Sequence, residues 1–424
     1  MLQGGRQLGA TERAVLAIGR RASVNLAVAA ELSGTLSLER VQRAVEAVSR
    51  QHPLVGARVE GDRLVFLGPP PVTRRVAPAE GLWSALAPEL DARFDPSKGL
   101  ARVIFVRHGQ AHASLAVITH PLLGDVAAVG WLLRHLLRAL VANPKVQGGW
   151  PVPVEEAAPA ATRGLRGLWR FWRARSRLNR ARPLGLPLRT VPAVKRVAPE
   201  ARTTRVVARA LTPAQTKALT AAAGQAGVSL YSAVAAALLF ALRQVNAVDH
   251  AVLLRHPVDR RDALRPHPKD AVGLYPAQMS TVHALTLDSG FWGMAREVQG
   301  QLDAAKARGD AELDQPYRWR LMGRVLGVLG VGIVGRLLRR CTPGIRLALP
   351  TLEVPAALGS LTVQRLTVAA AVAPWADLGL FAAAHGGALA LTICASAPAV
   401  SAAMLEAVAD GLLARATGFP GPKQ

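Results

Sequence analysis

The chain has 424 residues, half of them hydrophobic, and a formal charge of +24 at pH 7 carried mainly by arginine. That is material for two domains of about 200 residues, each with its own core. Its two cysteines, Cys341 and Cys394, have no metal-ligand spacing and form no disulfide framework, which fits a reducing compartment.

Arg6, Arg13, Arg20 and Arg21 interrupt the apolar residues at the start of the chain, so no signal-peptide core of about 7–15 residues can be drawn there. No apolar run reaches the roughly 18 residues needed to span a bilayer; the nearest, Val325–Val334, is glycine-rich and follows an arginine. A cytoplasmic location is expected, with peripheral attachment to the inner membrane as an option. So large a positive charge attracts nucleic acid, an anionic membrane, acidic carrier proteins or the phosphates of coenzyme A. No nucleic-acid motif accompanies it, so nucleic acid is not expected as a partner.

In chain order, Val24–Leu32 reads as an apolar strand ending near Gly34. Ser37 is a candidate N-cap, and Leu38, Val41, Val45 and Val48 give a helix that stops before His52 and Pro53. His52 is expected behind that helix as a structural group. Gly61–Leu67 fits a hairpin strand closed by the prolines that follow Gly68, and a short linker and helix come next.

Leu115 to Ile118 has the length and β-branched content of a buried strand and delivers His120 at its end. Pro121 and Gly124 break regular structure, and Val129, Leu132, Leu133, Leu136, Leu137 and Leu140 recur at helical spacing. His120 therefore sits in a strand-to-helix turn, a place that often carries chemistry. Imidazole titrates near neutral pH, so a histidine held there can take the proton of an attacking hydroxyl or amine. Asp125 is placed to orient the same turn.

Beyond Pro144 the composition changes. Pro151, Pro153, Pro159 and the pair Glu155–Glu156 make a linker, and no acidic residue occurs from Ala157 to Pro199. Within that stretch Arg163, Arg166, Arg170, Arg173, Arg177 and Arg180 alternate with Leu165, Leu168, Trp169, Trp172 and Leu178 in a helical period. Two readings are open: a helix lying on a membrane surface, or a crossover whose tryptophans pack onto the body of the protein.

The second half begins with strand Thr203–Leu211, and Thr212-Pro-Ala-Gln215 is a capping box with proline at the first helical position. Gly227–Leu242 is apolar nearly all round, hence a buried helix. Strand Ala251–Leu254 and Pro257-Val-Asp-Arg-Arg261 follow. Tyr317–Arg340 is a second basic, apolar segment. Pro374–Phe381 and Gly386–Ile393 form a hairpin, and Ala399–Ala414 a closing helix.

These pieces, in this order, resemble the acyltransferase superfamily that includes chloramphenicol acetyltransferase, peptide-synthetase condensation domains and the polyketide-associated (Pap-type) acyltransferases. The likeness runs from residue 6 to residue 415. The His120 turn resembles the family's HHxxxDG motif: His120 falls on the second, catalytic histidine, and Thr119 stands at the first. Gly130-Trp-Leu-Leu-Arg134 aligns with the family's helix start when one residue is inserted before Asp125. Pro257–Arg261 resembles Pro-Val-Asp-Leu-Arg, and Val272-Gly-Leu-Tyr275 stands where the family has Gly-Asn.

The resemblance implies an α/β fold of two chloramphenicol acetyltransferase-like lobes with mixed sheets meeting at a central tunnel. Residues 1–150 would form the N-terminal lobe with the histidine motif, 151–202 a basic interlobe linker, and 203–424 the C-terminal lobe. It implies His120 as general base, with Asp125 and Arg261 paired across the lobes as structural support. No metal, covalent acyl-enzyme or permanently bound cofactor is implied, because holding two substrates together and accepting one proton supply most of the acceleration. The donor would be a thioester of coenzyme A or of the phosphopantetheine on an acyl carrier protein. The acceptor would be a hydroxyl or amine of a lipophilic molecule, and the chain a monomer. Two other functions remain open: a non-catalytic, condensation-like binding or scaffold protein, favoured by Thr119, Val126 and the displaced Asp125, and a nucleic-acid binder, supported by charge alone.

Overall fold

In a computed structural model of the protein, the described residues are 4–421 except 21, 77–80, 143–147, 160–161, 163, 182–184, 194, 196, 247, 269–270, 287–289, 314–343 and 373–375. The basic segment Tyr317–Arg340 lies outside them.

The chain opens with β1 (Arg6–Gln7), α1 (Ala10–Gly19), β2 (Leu26–Ser33) and α2 (Leu38–Gln51). Ser37 caps α2 by accepting from the Arg40 N–H at 3.2 Å, a contact worth about 1 kcal/mol. The α2 stripe of Val41, Val45 and Val48 is buried. β3 (Ala57–Glu60) and β4 (Arg63–Phe66) form a hairpin that pairs with β1 in a three-stranded sheet. β5 (Val72–Val76), α3 (Leu82–Asp91), β6 (Ala101–Arg107), β7 (His112–Thr119) and α4 (Val126–Ala139) follow.

The linker region carries α5 (Val154–Ala157) and α6 (Gly164–Arg180), the expected basic amphipathic helix. The second half runs β8 (Thr203–Leu211), α7 (Pro213–Gln225), α8 (Leu230–Val245), β9 (His250–Val258), β10 (Ala277–Leu285), α9 (Phe291–Ala307) and β11 (Ile345–Ala348). It closes with β12 (Ala357–Leu358), β13 (Leu361–Ala370), β14 (Leu378–His385), β15 (Ala388–Ala397) and α10 (Ala402–Thr417). The capping box at α7 is formed, with Thr212 accepting from Gln215 N and the Gln215 side chain returning to Thr212 N.

Two six-stranded mixed sheets result, ordered β12-β13-β2-β7-β6-β5 and β10-β9-β11-β14-β15-β8. The first contains two strands from the far end of the chain. β13 pairs antiparallel with β2 along its length, Ala370 opposite Leu26 and Val368 opposite Val28. Residues 203–424 therefore do not make up the second lobe alone, since 357–370 complete the first. The physical reason lies in β2, whose core residues Ala27 to Ala30 are fully buried and whose backbone needs a ladder on both edges. Each sheet has its own core. One is built around β2, β6, β7, α2 and α4, and the other around α8, α10 and the strands of the second sheet.

Candidate active site

His120 stands where β7 ends. Its N–H donates to Leu100 O at 2.8 Å, and its own carbonyl accepts from Leu123 N at 2.9 Å, so the backbone turns sharply into α4. Asp125 is the N-cap of α4, its Oδ1 accepting from Ala128 N at 2.9 Å. One carboxylate thus ends the histidine turn and starts the helix behind it.

The His120 ring is 1% exposed. Its Nδ1 accepts from the Leu122 N–H at 3.1 Å, which leaves the hydrogen of the neutral ring on Nε2. Nε2 has no polar partner and faces Gly19, the last residue of α1; a Cβ there would overlap it. Phe94 meets the ring edge-on, with centroids 6.3 Å apart. Burial in this apolar setting holds the imidazole down at about 4.

Two hollows flank this histidine. Between the lobes lies a cavity of about 630 Å³ whose wall includes Ile18 and Pro121 from the first lobe and Tyr231, Asp259, Leu274 and Leu349 from the second. On the first lobe's surface lies a cleft of about 570 Å³ lined by Gly19, Arg20, Arg93 and Phe94. The groups that touch the ring, Gly19 and Phe94, line the cleft, and the chain neighbours of Gly19 and His120 line the cavity. His120 lies in the partition between the two without lining the interlobe cavity itself.

Arg261 fastens the lobes beside the partition. It is 2% exposed and donates to Asp125 Oδ1 at 3.0 Å, to Asp259 Oδ1 at 2.9 Å and to Gly273 O at 3.0 Å. Its guanidinium also lies over Trp131 at 4.7 Å and Tyr275 at 4.9 Å. Burial raises the Asp125 carboxyl above its ordinary range, while the Arg261 charge and the Ala128 N–H pull it down. Because guanidinium stays charged in proteins, Asp125 and Asp259 are the counter-charges that permit its burial.

The second-lobe wall holds groups the sequence reading did not single out. The Tyr231 hydroxyl donates to Leu347 O at 2.9 Å and lies 2.7 Å from His256 Nδ1. His256 Nε2 lies 2.7 Å from Thr281 Oγ1, which lies 2.8 Å from His283 Nε2. His283 Nδ1 reaches Glu297 Oε1 at 2.8 Å. The register of β9 against β10 creates this line: His256 lies opposite Met279 and Leu254 opposite Thr281, so His256, Thr281 and His283 project to one face. A period-two pattern of polar residues in β10 was the available signal, but the register that joins it to His256 is not written in either strand alone.

His52 stacks on His135 with centroids 4.7 Å apart, behind α2 and away from the cavity wall. Burial pushes the Cys394 thiol up to about 12, so it is no nucleophile. Among the described residues no group of three or more His, Cys, Asp or Glu side chains could hold a metal ion.

Residues 200–314 match the family model described as phthiocerol/phthiodiolone dimycocerosyl transferase C-terminus. No curated protein matches the chain by sequence. Among solved structures, polyketide synthase associated protein 5 from Mycobacterium tuberculosis is 18% identical, with 98% of this chain and 99% of that one covered and a TM-score of 0.68. Trichothecene 15-O-acetyltransferase from Fusarium sporotrichioides is 14% identical, with 98% and 97% covered and a TM-score of 0.74. The first condensation domain of the calcium-dependent antibiotic synthetase is 16% identical, with 100% and 98% covered and a TM-score of 0.72. At such identities the likeness is one of fold, and it spans both lobes. In fold the chain is thus similar to these two-lobed, chloramphenicol acetyltransferase-like acyltransferase and condensation structures, and residues 200–314 also match the Pap-type model.

Proposed function

We propose that the protein is an acyltransferase that moves an acyl group from a thioester to a hydroxyl or amine of a lipophilic acceptor held in the interlobe cavity. The observation that carries this reading is the position of His120 in the partition between two hollows, with a donor side and an acceptor side. The cleft with Arg20 and Arg93 suits the phosphates of coenzyme A or the phosphopantetheine of a carrier protein. The cavity wall, with Val15, Ile18, Leu274, Ala348 and Leu349, suits an apolar acceptor. His120 takes the acceptor's proton and returns it to the leaving thiolate. Acting at Nε2, it passes to the tautomer with hydrogen on Nδ1 and gives up the Leu122 N–H contact, a change that accompanies substrate entry between His120 and Gly19.

A specific observation favours a second reading, a binding module without turnover: in the arrangement described, Nδ1 is engaged by Leu122 and Nε2 is closed against Gly19. Mass spectrometry of acyl species carried by the purified protein, before and after incubation with an alcohol, separates the two. An acyltransferase releases the acyl group as an ester; a binding module retains it.

The basic helix supports attachment to an anionic bilayer. In α6 Leu165 is 85% exposed, Trp169 60% and Trp172 53%, so more than half of each is open to solvent. Arg173 lies over the Trp169 ring at 5.0 Å. Exposed aromatic rings beside arginines on one helix are what an interfacial helix presents to lipid.

A further inference from the structure

We infer that Tyr231 is the hydrogen-bond donor to the oxyanion of the tetrahedral intermediate, polarised by a buried chain through His256, Thr281 and His283 to Glu297. The inference rests on the acyl-transfer reading and supplies it with a group that the His120 turn lacks.

The direction of the chain follows from counting hydrogens. The single Tyr231 hydrogen goes to Leu347 O, so His256 must donate to the Tyr231 oxygen from Nδ1. A neutral His256 then accepts at Nε2, and Thr281 gives its hydrogen there. Thr281 Oγ1 can only accept from His283 Nε2, and the Glu297 carboxylate can only accept from His283 Nδ1. Every contact is satisfied at once when His256 is neutral and His283 donates at both of its contacts. Burial, reinforced by the nearby His283, holds His256 down at about 3 and keeps it neutral.

The far end of the line is Glu297, 44% exposed on α9, and every hydrogen between His283 and the cavity points toward the cavity. Such chains strengthen one another in a low-dielectric interior. Tyr231 lines the cavity, and burial pushes its hydroxyl above the ordinary range, so it meets the substrate protonated. At rest it donates to a neutral carbonyl, Leu347 O. When the acceptor oxygen attacks the thioester carbon, the carbonyl π electrons move to oxygen and the Tyr231 hydrogen turns to that oxyanion, a stronger acceptor than an amide oxygen. Collapse restores the carbonyl and breaks the C–S bond. The thiolate takes the proton held by His120, and Tyr231 returns to Leu347 O with its own hydrogen unchanged.

The test uses the full-length protein with octanoyl-coenzyme A and octanol, following thiol release and ester formation. Tyr231→Phe keeps the ring and removes the donor; it should lower kcat about 100-fold with KM for the thioester little changed, the size expected for one oxyanion donor. Thr281→Val interrupts the chain and should lower kcat less, and Thr281→Ser, which keeps the hydroxyl, should restore it. Nitrogen-15 NMR of the wild-type protein should show the His256 ring protonated at Nδ1 alone. Wild-type kcat in Tyr231→Phe, with transfer still dependent on His120, overturns the donor role and leaves acyl transfer standing. A His256 ring protonated at Nε2 instead reverses the hydrogens of the line and overturns the polarised chain. Absence of transfer in the wild type removes the acyl-transfer reading and this role with it. If Tyr231→Phe fails to fold, the Thr281→Val and Thr281→Ser pair decides: equal kcat in the two overturns the proposal.

Discussion

Gly19 lies against the Nε2 edge of His120 so closely that no Cβ fits between them. Within an α-helix, glycine is ordinarily about 1 kcal/mol worse than alanine, so Gly19→Ala would stabilise a helix with nothing beside it. Here the sign should reverse. The methyl displaces the ring, and overpacking of this kind costs about 1–3 kcal/mol. Denaturant unfolding of the variant reads the sign directly, and a gain in stability would show that the ring moves aside without cost.

The buried imidazole makes stability depend on pH. His120 has a folded value of about 4 against an ordinary 6.5, so the unfolded chain binds the proton more tightly between those limits. Stability is complete above pH 6.5 and is lost as pH falls toward 4. His120→Gln has no such proton to bind. Relative to that variant, the wild type should lose about 3 kcal/mol between pH 7 and pH 4. Parallel pH profiles for the two proteins would mean that the ring is not buried as described.

The Asp125–Arg261 pair should contribute to the union of the lobes. Asparagine caps a helix about as well as aspartate, so Asp125→Asn removes the charge and keeps the cap. Breaking a buried pair costs about 3–5 kcal/mol. Asp259 and Gly273 O still hold the guanidinium, so the lower end of that range is expected. Asp125→Ala should cost about 1 kcal/mol more through the lost cap. Equal melting of wild type and Asp125→Asn would assign the clamp to Asp259 alone.

Much of this site was legible in the sequence because its signals are local. An apolar strand, a proline and glycine, and a helical stripe put His120 in a turn, and the spacing ahead of Val129 made Asp125 part of it. The resemblance at Pro257–Arg261 supplied its partner. The sequence hides α1 because its apolar stripe of Ala14, Val15 and Ile18 is short and flanked by Arg13 and Arg20. The importance of Gly19 arises only from contact with a residue far along the chain. Tyr231 looked like one more residue of an apolar helix, and His256 like the end of a strand. Their union is a contact between α8 and β9, and the line beyond His256 depends on the β9–β10 register, which neither strand states alone. The crossing of β13 to the first sheet is hidden for the same reason: an apolar strand does not name its partner.

The exposed face of α6 should bind anionic vesicles. Each basic residue near such a surface adds about 1 kcal/mol, and attraction falls as salt shortens the screening length. Co-sedimentation with phosphatidylserine vesicles at low salt is expected. Arg170→Glu with Arg173→Glu should weaken it, and so should Trp169→Ala, whose effect a purely electrostatic contact would not show. Recovery in the supernatant regardless of lipid charge would leave α6 as a solvated strap between the lobes.

The most direct test of the central claim is steady-state transfer of the octanoyl group from octanoyl-coenzyme A to octanol by the wild type and by His120→Ala, with folding of both verified by thermal melting. The wild type should form the ester, and the variant should do so about 100-fold more slowly, as expected for loss of a positioned proton acceptor. Ester formation at the same rate in both proteins would contradict the assignment of His120 and of the partition it occupies.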